Sequence, residues 1–345
     1  MKFMLTYILM PLLALLSACS KDGGGDGPGT GSAPSNLTLV ATVNPDKSGN
    51  VVFAATATNA TTFEYDFGNG AFQTVASGNV TYKYPASGNY TVKVTAKNAS
   101  TASVNKTTAI TVEVAQTLVW FDEFNGTGAP DPNKWTYDIG NGSGGWGNQE
   151  SQYYTNRSEN VSIDGGTLKI KAIRENYMGS TFTSARMKTE GKFNFTYGKV
   201  EVKAKVPAGV GTWAAAWALG SNITTAGWPA CGEIDIMEHL GREENKVYGT
   251  LHYPGRSGAN ADGNTKMITN ATTAFHIYST EWSAASIKIL VDGVLVHEVP
   301  NKPAIPFNHN FFLILNLAMG GNFGGAIDPS VNGGTLEVDY IRVYQ

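Results

Sequence analysis

The chain has 345 residues and a formal net charge of −3, a length that suits about two domains. Charged residues make up 15% of it and hydrophobic residues 42%, which excludes an intrinsically disordered protein. No cluster of lysine and arginine forms the basic patch of a nucleic-acid binder. The 40 glycines, with many β-branched and aromatic residues, favour strands and turns and predict an all-β protein.

Residues 1–18 have the pattern of an export signal. Lys2 precedes an apolar run, Leu5–Leu16, that is shorter than the about 20 residues needed to span a bilayer. The run closes in Leu-Ser-Ala-Cys, which resembles a bacterial lipobox with Cys19 as the lipidated residue; a plain secretory signal is the alternative. Lipid on Cys19 would hold the protein on a membrane. We therefore expect an outer membrane lipoprotein exposed at the bacterial cell surface.

Residues 19–34 form a Gly-rich flexible tether. Its Ser-Lys-Asp start resembles the signals that send Bacteroidetes lipoproteins to the outer surface. Cys231 is the only cysteine after Cys19, so the mature chain has no intrachain disulfide and must depend on its core for stability.

Residues 35–115 predict a first β-sandwich, because short alternating segments are separated by Gly, Asn and Pro turns. The predicted strands are Leu37–Val43, Val51–Thr58, Thr62–Asp66, Val80–Tyr84, Tyr90–Lys97 and Thr107–Val114. Residues 65–70 (YDFGNG) and 88–92 (GNYTV) resemble the PKD-type immunoglobulin-like domain. Such modules usually act as spacers, and carbohydrate binding is the lesser alternative. Acids and histidines do not cluster here, so we expect no chemistry in this domain.

Residues 117–345 predict one large sandwich or barrel. Alternation of apolar and polar residues is clear in Thr167–Ile173, Gly198–Val206, Ile287–Val291 and Leu336–Tyr344. No amphipathic helix of ten or more residues stands out. Trp135 and Trp282 have the pattern of core residues, and the Gly-rich segment 140–147 is interpreted as a loop at the edge of a cleft.

Three acids lie inside one apolar strand of this domain. Glu233 and Asp235 share a face of a regular strand, whereas Glu238 points to the other face. One extra residue, a β-bulge near Ile236–Met237, would return Glu238 to the face of the other two. We predict this bulge; the alternative is a strand whose third acid takes no part.

Three carboxylates on one face repel one another, which raises at least one pKa. That arrangement suits glycoside hydrolysis, where one carboxylate is ionised and another protonated near neutral pH. A solvated strand face is the alternative interpretation of the acids alone. The spacing does not establish how far apart the two working carboxyl groups lie.

The flanking residues resemble glycoside hydrolase family 16, in its laminarinase-like branch. That family's hallmark is Glu-x-Asp-x-x-Glu, preceded in this branch by Trp-Pro-Ala-x-Gly, and residues 228–238 contain both. Further matches are at 145–150 (GWGNQE), 183–186 (TSAR), 249–253 (GTLHY) and 338–344 (VDYIRVY). The resemblance implies a concanavalin A-like jelly roll of two curved antiparallel sheets with a glycan cleft across the concave face.

The resemblance also implies roles for the acids. Glu233 would be the nucleophile and Glu238 the general acid/base of a retaining mechanism, with Asp235 adjusting the nucleophile. The longer spacing implies an endo-β-glucanase acting on β-1,3-glucan or mixed β-1,3/1,4-glucan. The alternatives are a non-catalytic glycan-binding lipoprotein, which would have no need of repelling acids, and a galactan hydrolase of the same family.

Several further residues are candidates for the site. Trp213, Trp217 and Trp228 could stack on pyranose rings, although core packing is the alternative for each. Asn148 and Arg186 resemble family positions that line the cleft, with surface pairing as the rival for Arg186. His252 resembles a residue near the acid/base, and a structural histidine is equally compatible with the pattern.

The resemblance implies a structural Ca²⁺ ion at Glu123, Gly166 and Asp339. A hard cation takes six to eight oxygens, many of them from the backbone, so the sequence does not establish this site. Catalysis would require no cofactor, and we expect a monomer whose partners are β-glucan and, through Cys19, a membrane.

Overall fold

A computed structural model describes residues 32–100 and 102–345 of the chain. The predicted signal, Cys19 and most of the predicted tether lie outside the described residues. Strands dominate, and the longest helical element of the described residues has 5 residues, which confirms the prediction of an all-β protein. None of the helices in these ranges is long and apolar enough to cross a membrane.

The N-terminal domain contains a three-stranded sheet of order β1-β2-β5 and a four-stranded sheet of order β4-β3-β6-β7. The strands are β1 (Ser35–Val43), β2 (Asn50–Thr58), β3 (Thr62–Asp66), β4 (Phe72–Val75), β5 (Asn79–Lys83), β6 (Gly88–Lys97) and β7 (Ser103–Val112). Alternation places Phe53, Tyr65 and Phe67 in the core, where their ring centroids lie 5.6–5.8 Å apart. The sequence missed β4, because none of its side chains is buried and it therefore shows no alternation.

The C-terminal domain has two sheets. The ten-stranded sheet has the order β10-β13-β12-β24-β15-β20-β21-β22, with β11 paired to β12 and β8 paired to β24. Its strands are β8 (Leu118–Asp122), β10 (Gln152–Tyr154), β11 (Val161–Asp164), β12 (Thr167–Tyr177), β13 (Ser180–Ser184), β15 (Gly198–Lys205), β20 (His276–Trp282), β21 (Ser286–Val291), β22 (Val294–Pro300) and β24 (Gly333–Tyr344).

The seven-stranded sheet has the order β19-β18-β17-β16-β23-β14-β9. Its strands are β9 (Thr136–Asp138), β14 (Arg186–Lys188), β16 (Thr212–Gly220), β17 (Glu233–Leu240), β18 (Lys246–His252), β19 (Asp262–Met267) and β23 (Phe311–Met319). The short helical elements are a π-type turn (Gly145–Gln149), α1 (Ile223–Ala226), a 3₁₀ turn (Gly258–Asn260) and α2 (Gly321–Gly324). The domain is a jelly roll, as predicted, although β10 pairs with β13 in parallel.

The core lies between these two sheets. The ten-stranded sheet contributes inward side chains such as Leu168 and Val202, and the seven-stranded sheet contributes Ile234 and Leu315. Trp135 and Trp282 are buried in this region, as predicted. Because successive side chains of a strand alternate between faces, the seven-stranded sheet has a second face that is turned away from the core. We call this second face the cleft face, and it carries the acids.

Candidate active site

A β-bulge in β17 aligns the three acids. Asp235 pairs with Thr250 and Glu238 pairs with Tyr248, so three residue steps on β17 match two on β18. Ile236 and Met237 are both buried in the core, which absorbs the extra residue. Glu238 therefore returns to the cleft face, where Glu233 and Asp235 lie, and the predicted bulge is present.

The strands beside β17 supply the neighbours of the acids. Across β16, Glu238 lies opposite Ala215 and Asp235 opposite Trp217. Directly opposed residues on adjacent strands share a face. The small side chain of Ala215 therefore leaves room beside Glu238, and the indole of Trp217 lies beside Asp235.

Glu233 accepts a hydrogen bond from an exposed indole. Trp228 Nε1 donates to Glu233 Oε2 at 3.1 Å, and His252 Nε2 lies 3.7 Å from Glu233 Oε1. Burial, and then repulsion from Asp235, raise the pKa of Glu233 to about 8, against the opposing effect of His252. The hydrogen bond from Trp228 favours the ionised form of Glu233.

Glu238 accepts a hydrogen bond from a different indole. Trp213 Nε1 donates to Glu238 Oε1 at 2.9 Å. Burial and repulsion from Asp235 raise the pKa of Glu238 to about 8, while the hydrogen bond from Trp213 lowers it.

Asp235 is the most buried acid of the three, with 4% of its surface exposed. Burial raises its pKa to about 8. His252 Nε2 lies 3.1 Å from Asp235 Oδ2, and His252 Nδ1 accepts the backbone N–H of Gly258 at 3.2 Å. An imidazole nitrogen that accepts carries no proton, so the proton of neutral His252 is on Nε2 and faces the acids.

The three acids together hold protons near neutral pH. Burial raises the pKa of each acid above its ordinary range, and neighbouring carboxylates raise those of Glu233 and Glu238 further, so the three share protons as one group. A group of this kind contains both an ionised and a protonated carboxyl group at the same pH, as nucleophilic attack and general-acid catalysis require.

Arg186 lies further along the cleft face, on β14. Its guanidinium stacks between Trp146 and Trp217, at 4.7 and 4.8 Å from the ring centroids. Its Nε lies 2.9 Å from Asp138 Oδ2, and its charge lowers the pKa of Glu233. The stack is a rigid, partly apolar surface with a fixed positive charge.

Comparison with known proteins identifies the family. The model of the glycosyl hydrolases family 16 matches residues 148–342. The chain belongs to glycosyl hydrolase family 16. The PKD domain model matches residues 27–114, in agreement with the predicted N-terminal module.

Relatives of this family 16 enzyme include the Beta-glucanase of Rhodothermus marinus, 45% identical over 245 residues that cover 66% of this chain and 85% of the relative. The solved structure of the laminarinase from Rhodothermus marinus is similar with a TM-score of 0.64 and 44% identity, covering 67% of this chain and 98% of that one. A variant of LamA from Z. galactanivorans, solved with laminaritriose and laminaritetraose, gives a TM-score of 0.62 at 43% identity and covers 66% of this chain and 99% of that one.

The structure brings most of the candidate residues of the family 16 enzyme to the acids. Trp213, Trp228 and His252 contact the acids directly, and Arg186 stacks on Trp217 beside them. None of the three tryptophans is buried. Trp217 nevertheless packs against a small buried cluster that contains Leu219 and Phe312, so core packing describes part of its role. Arg186 does pair with Asp138, but with only 14% of its side chain exposed.

His252 and Asn148 have these surroundings in the structure. The register of β17 and β18 places His252 opposite Glu233, next to the predicted nucleophile, and its charge also lowers the pKa of Glu238. Asn148 contacts no acid of β17 in a hydrogen bond; its Nδ2 donates to Glu150 Oε1 at 3.2 Å.

The predicted Ca²⁺ residues are engaged with cations. Glu123 binds Arg342 through both of its oxygens, at 2.7 and 2.8 Å, and Asp339 lies 2.6 Å from Lys203 Nζ. Both carboxylates are thus already neutralised, so this arrangement does not by itself fit a cation. In the described ranges, the side-chain group with metal-binding spacing is Glu233, Asp235 and His252. The Ca²⁺ site stays a prediction, and no catalytic step depends on it.

Sequence reasoning missed three residues of the site. Trp146 stacks on Arg186, Asn316 accepts the Trp217 N–H at 2.8 Å, and Glu150 binds Asn148. The motif GWGNQE contains two of them and could have indicated their importance. Asn316 is the one polar residue of the buried strand β23 (FFLILNLAM), and a polar residue in an apolar run is the signal that could have indicated it.

Proposed function

We propose that this family 16 enzyme is a retaining endo-β-glucanase that cleaves internal β-1,3 linkages of laminarin-type glucan or of mixed-linkage β-1,3/1,4-glucan. The observation that carries the proposal is the bulge of β17. It puts Glu233, Asp235 and Glu238 on one face, where burial raises all three pKa values to about 8.

The first half of the reaction uses the two glutamates in different protonation states. The Glu233 carboxylate attacks the anomeric carbon and forms a glycosyl-enzyme ester. Glu238 gives its proton to the oxygen of the departing sugar as that C–O bond breaks. The hydrogen bond from Trp228 stabilises the charge of Glu233 before the attack, and His252 nearby lowers its pKa.

The second half reverses the role of Glu238. As a carboxylate it takes a proton from water, which attacks the anomeric carbon and releases Glu233. Trp213 stabilises the ionised form of Glu238 at this stage by its hydrogen bond. Asp235 lies between the two glutamates in sequence and is buried, so its ionisation costs free energy. Its repulsion raises the pKa of the nucleophile Glu233.

The names of the relatives support the choice of glucan. The relatives and solved structures include enzymes described as laminarinases and as Beta-glucanase, and one related structure was solved with laminaritriose and laminaritetraose. The acids of this chain are intact, and a protein that only binds glycan gains nothing from keeping carboxylates that repel one another.

Hydrolysis of laminarin, curdlan and barley β-glucan tests the proposal. We expect oligosaccharides from the wild type, with β-anomers first when the products are followed by ¹H NMR. Glu233→Gln and Glu238→Gln should each lose at least about a thousandfold in kcat (removal of a group essential to covalent or acid catalysis). Glu298→Gln, an acid of the ten-stranded sheet, is the matched control and should stay active. Glycan binding by the wild type without release of oligosaccharides would instead support the non-catalytic alternative, and release of α-anomers would exclude a retaining mechanism.

We also propose that the mature chain is held at the outer membrane surface by lipid on Cys19. The short apolar run before Cys19 supports this. Fatty-acid labelling of cells that express the wild type and Cys19→Ser, followed by protease treatment of intact cells, tests it. We expect label and protease sensitivity in the wild type and no label in the variant; equal labelling of the two would contradict the proposal.

A further inference from the structure

Glu150 is the centre of a hydrogen-bond network behind the cleft face. It follows the π-type turn at the predicted cleft edge, and its two oxygens accept three hydrogen bonds. Oε1 accepts from Asn148 Nδ2 at 3.2 Å, and Oε2 accepts from Gln152 Nε2 at 2.7 Å and from Tyr154 Oη at 3.1 Å. Neither glutamate of β17 is in this network, so it is separate from the acids that carry the reaction.

The network continues to the cleft. Tyr154, fully buried, also lies 3.1 Å from Asn316 Nδ2. Asn316 Oδ1 in turn accepts the N–H of Trp217 at 2.8 Å. Trp217 is the indole on which Arg186 stacks.

The charge of Glu150 sets the donor-to-acceptor direction of each hydrogen bond between Glu150 and Trp217. A carboxylate only accepts hydrogen bonds, so the single O–H of Tyr154 donates to Glu150. The Tyr154 oxygen can then only accept from Asn316. Asn316 must therefore turn its NH₂ to Tyr154 and its carbonyl to Trp217, which matches the donor on the indole. No other orientation of this amide satisfies both the buried Tyr154 and the partly buried Trp217.

The same charge orients Asn148. One N–H of its amide donates to Glu150, which turns the carbonyl oxygen away from Glu150 and leaves it able to accept from a ligand, beside the second N–H. A carbonyl oxygen accepts from a hydroxyl group, and sugar hydroxyl groups are such donors. Asn148 was predicted from the sequence to line the cleft.

We propose that Glu150 is a positioning residue that fixes the hydrogen-bond polarity of the glycan-binding surface: it turns the Asn148 carbonyl toward sugar hydroxyl groups and, through Tyr154 and Asn316, holds the Trp217 indole in place. This inference rests on the proposed function for its substrate class, a β-linked glucan. Glu150 does not contact the sugar, and its effect is on glycan affinity and not on the chemical step.

Glu150→Gln tests the inference with almost no change in shape. The glutamine amide has one accepting oxygen, so at least one of the three donors loses its acceptor and the order of the network is broken. We expect KM for laminarin to rise about tenfold, which corresponds to about 1.4 kcal/mol, with kcat within about threefold of the wild type. Damage to folding would instead lower the active fraction, and thereby kcat, at unchanged KM. Glu337→Gln, which removes two lysine partners on the ten-stranded sheet, is the matched control and should leave KM unchanged.

A binding measurement separates this inference from the proposed function. Laminarihexaose is titrated calorimetrically into Glu238→Gln and into the Glu150→Gln/Glu238→Gln double variant, and we expect Kd to be about tenfold higher in the double variant. A higher Kd in the double variant, together with no turnover by the wild type, would contradict the proposed function and support this inference. Equal Kd and equal KM, with wild-type turnover intact, would overturn the inference alone.

A double-mutant cycle checks the route through Asn148. Asn148→Ala should weaken binding in the wild-type background and add less than about twofold in the Glu150→Gln background, because the side chain has already lost its orientation. Full additivity would show that Glu150 does not act through Asn148 and would overturn that half of the proposal.

Discussion

The indole of Trp213 gives the sharpest test of how the site sets its protonation states. Trp213→Phe keeps an aromatic ring beside Phe323, which it meets at 5.5 Å in an edge-to-face contact. It removes the N–H that donates to Glu238 Oε1 at 2.9 Å. The only polar change is thus the loss of one donor to the predicted acid/base.

The size of the effect follows from the charge of the acceptor. A hydrogen bond to a charged group is worth about 1.5–3 kcal/mol and one between neutral groups about 0.5–1.5 kcal/mol. The ionised form of Glu238 therefore loses roughly 1–1.5 kcal/mol more than the protonated form. At about 1.36 kcal/mol per pKa unit, the pKa of Glu238 should rise by about one unit.

The sign is fixed by the role of Glu238. The general acid must be protonated, so activity falls as pH rises through its pKa, which lies at about 8 in the wild type. Raising that pKa moves the basic limb of kcat/KM against pH upward by about one unit and leaves the acid limb in place. The assay is reducing-sugar release from laminarin between pH 4 and 10, from about four units below to about two units above the wild-type pKa of about 8.

Trp217→Phe is the matched control. Its N–H donates to the neutral amide of Asn316 and not to a carboxylate, so it should weaken substrate binding without moving either limb. A folded Trp213→Phe variant with the wild-type basic limb would contradict this prediction, and so would an equal shift in the control.

Three further outcomes are expected. Trp228→Phe removes the donor 3.1 Å from Glu233 Oε2 and should raise the pKa of the nucleophile, so that the acid limb of the same profile moves upward; an unmoved acid limb would contradict this. Asp235→Asn should become more stable relative to the wild type as pH rises from about 4 to about 8. The pKa of Asp235 is raised to about 8 in the folded protein, whereas the unfolded chain releases this proton at lower pH, so the wild type loses stability over that range and the variant does not. Even 1 kcal/mol corresponds to about 2–4 °C in Tm for a domain of this size, and a difference in Tm that is constant with pH would argue against it. Arg242→Ala should lower kcat/KM about tenfold (roughly the scale of a charged hydrogen bond) with little change in Tm. Its Nη1 donates to the carbonyls of Phe323 and Gly324 at 2.6 and 2.7 Å and holds α2, whose Phe323 packs against Trp213; unchanged kcat/KM would exclude this role.

Local pattern predicted most strands of this protein well. Predicted Thr62–Asp66 coincides with β3, and predicted Gly198–Val206 differs from β15 by one residue. Strands with one buried face show alternation, and alternation is a local property of the chain. Strand β4 was not predicted, because its four side chains are exposed or only partly buried and its sequence therefore shows no alternation.

The β-bulge of β17 was also predictable from the sequence. Two apolar residues, Ile236 and Met237, separate Asp235 from Glu238 where a regular strand would have one. Two adjacent residues can both enter a core only where the strand departs from regular pairing. The acidic cluster was therefore predicted together with the backbone feature that forms it.

Local sequence is enough to assign side chains to a shared face, because the side chains of a strand alternate with a period of two residues. Which strands adjoin, and with what register, depends on the tertiary structure. It placed His252 across from Glu233, stacked Arg186 between Trp146 and Trp217 and linked Glu150 through Tyr154 to Asn316. These contacts join residues that are distant along the chain, and the pairing of distant strands depends on the packing of the whole core, which no local pattern contains.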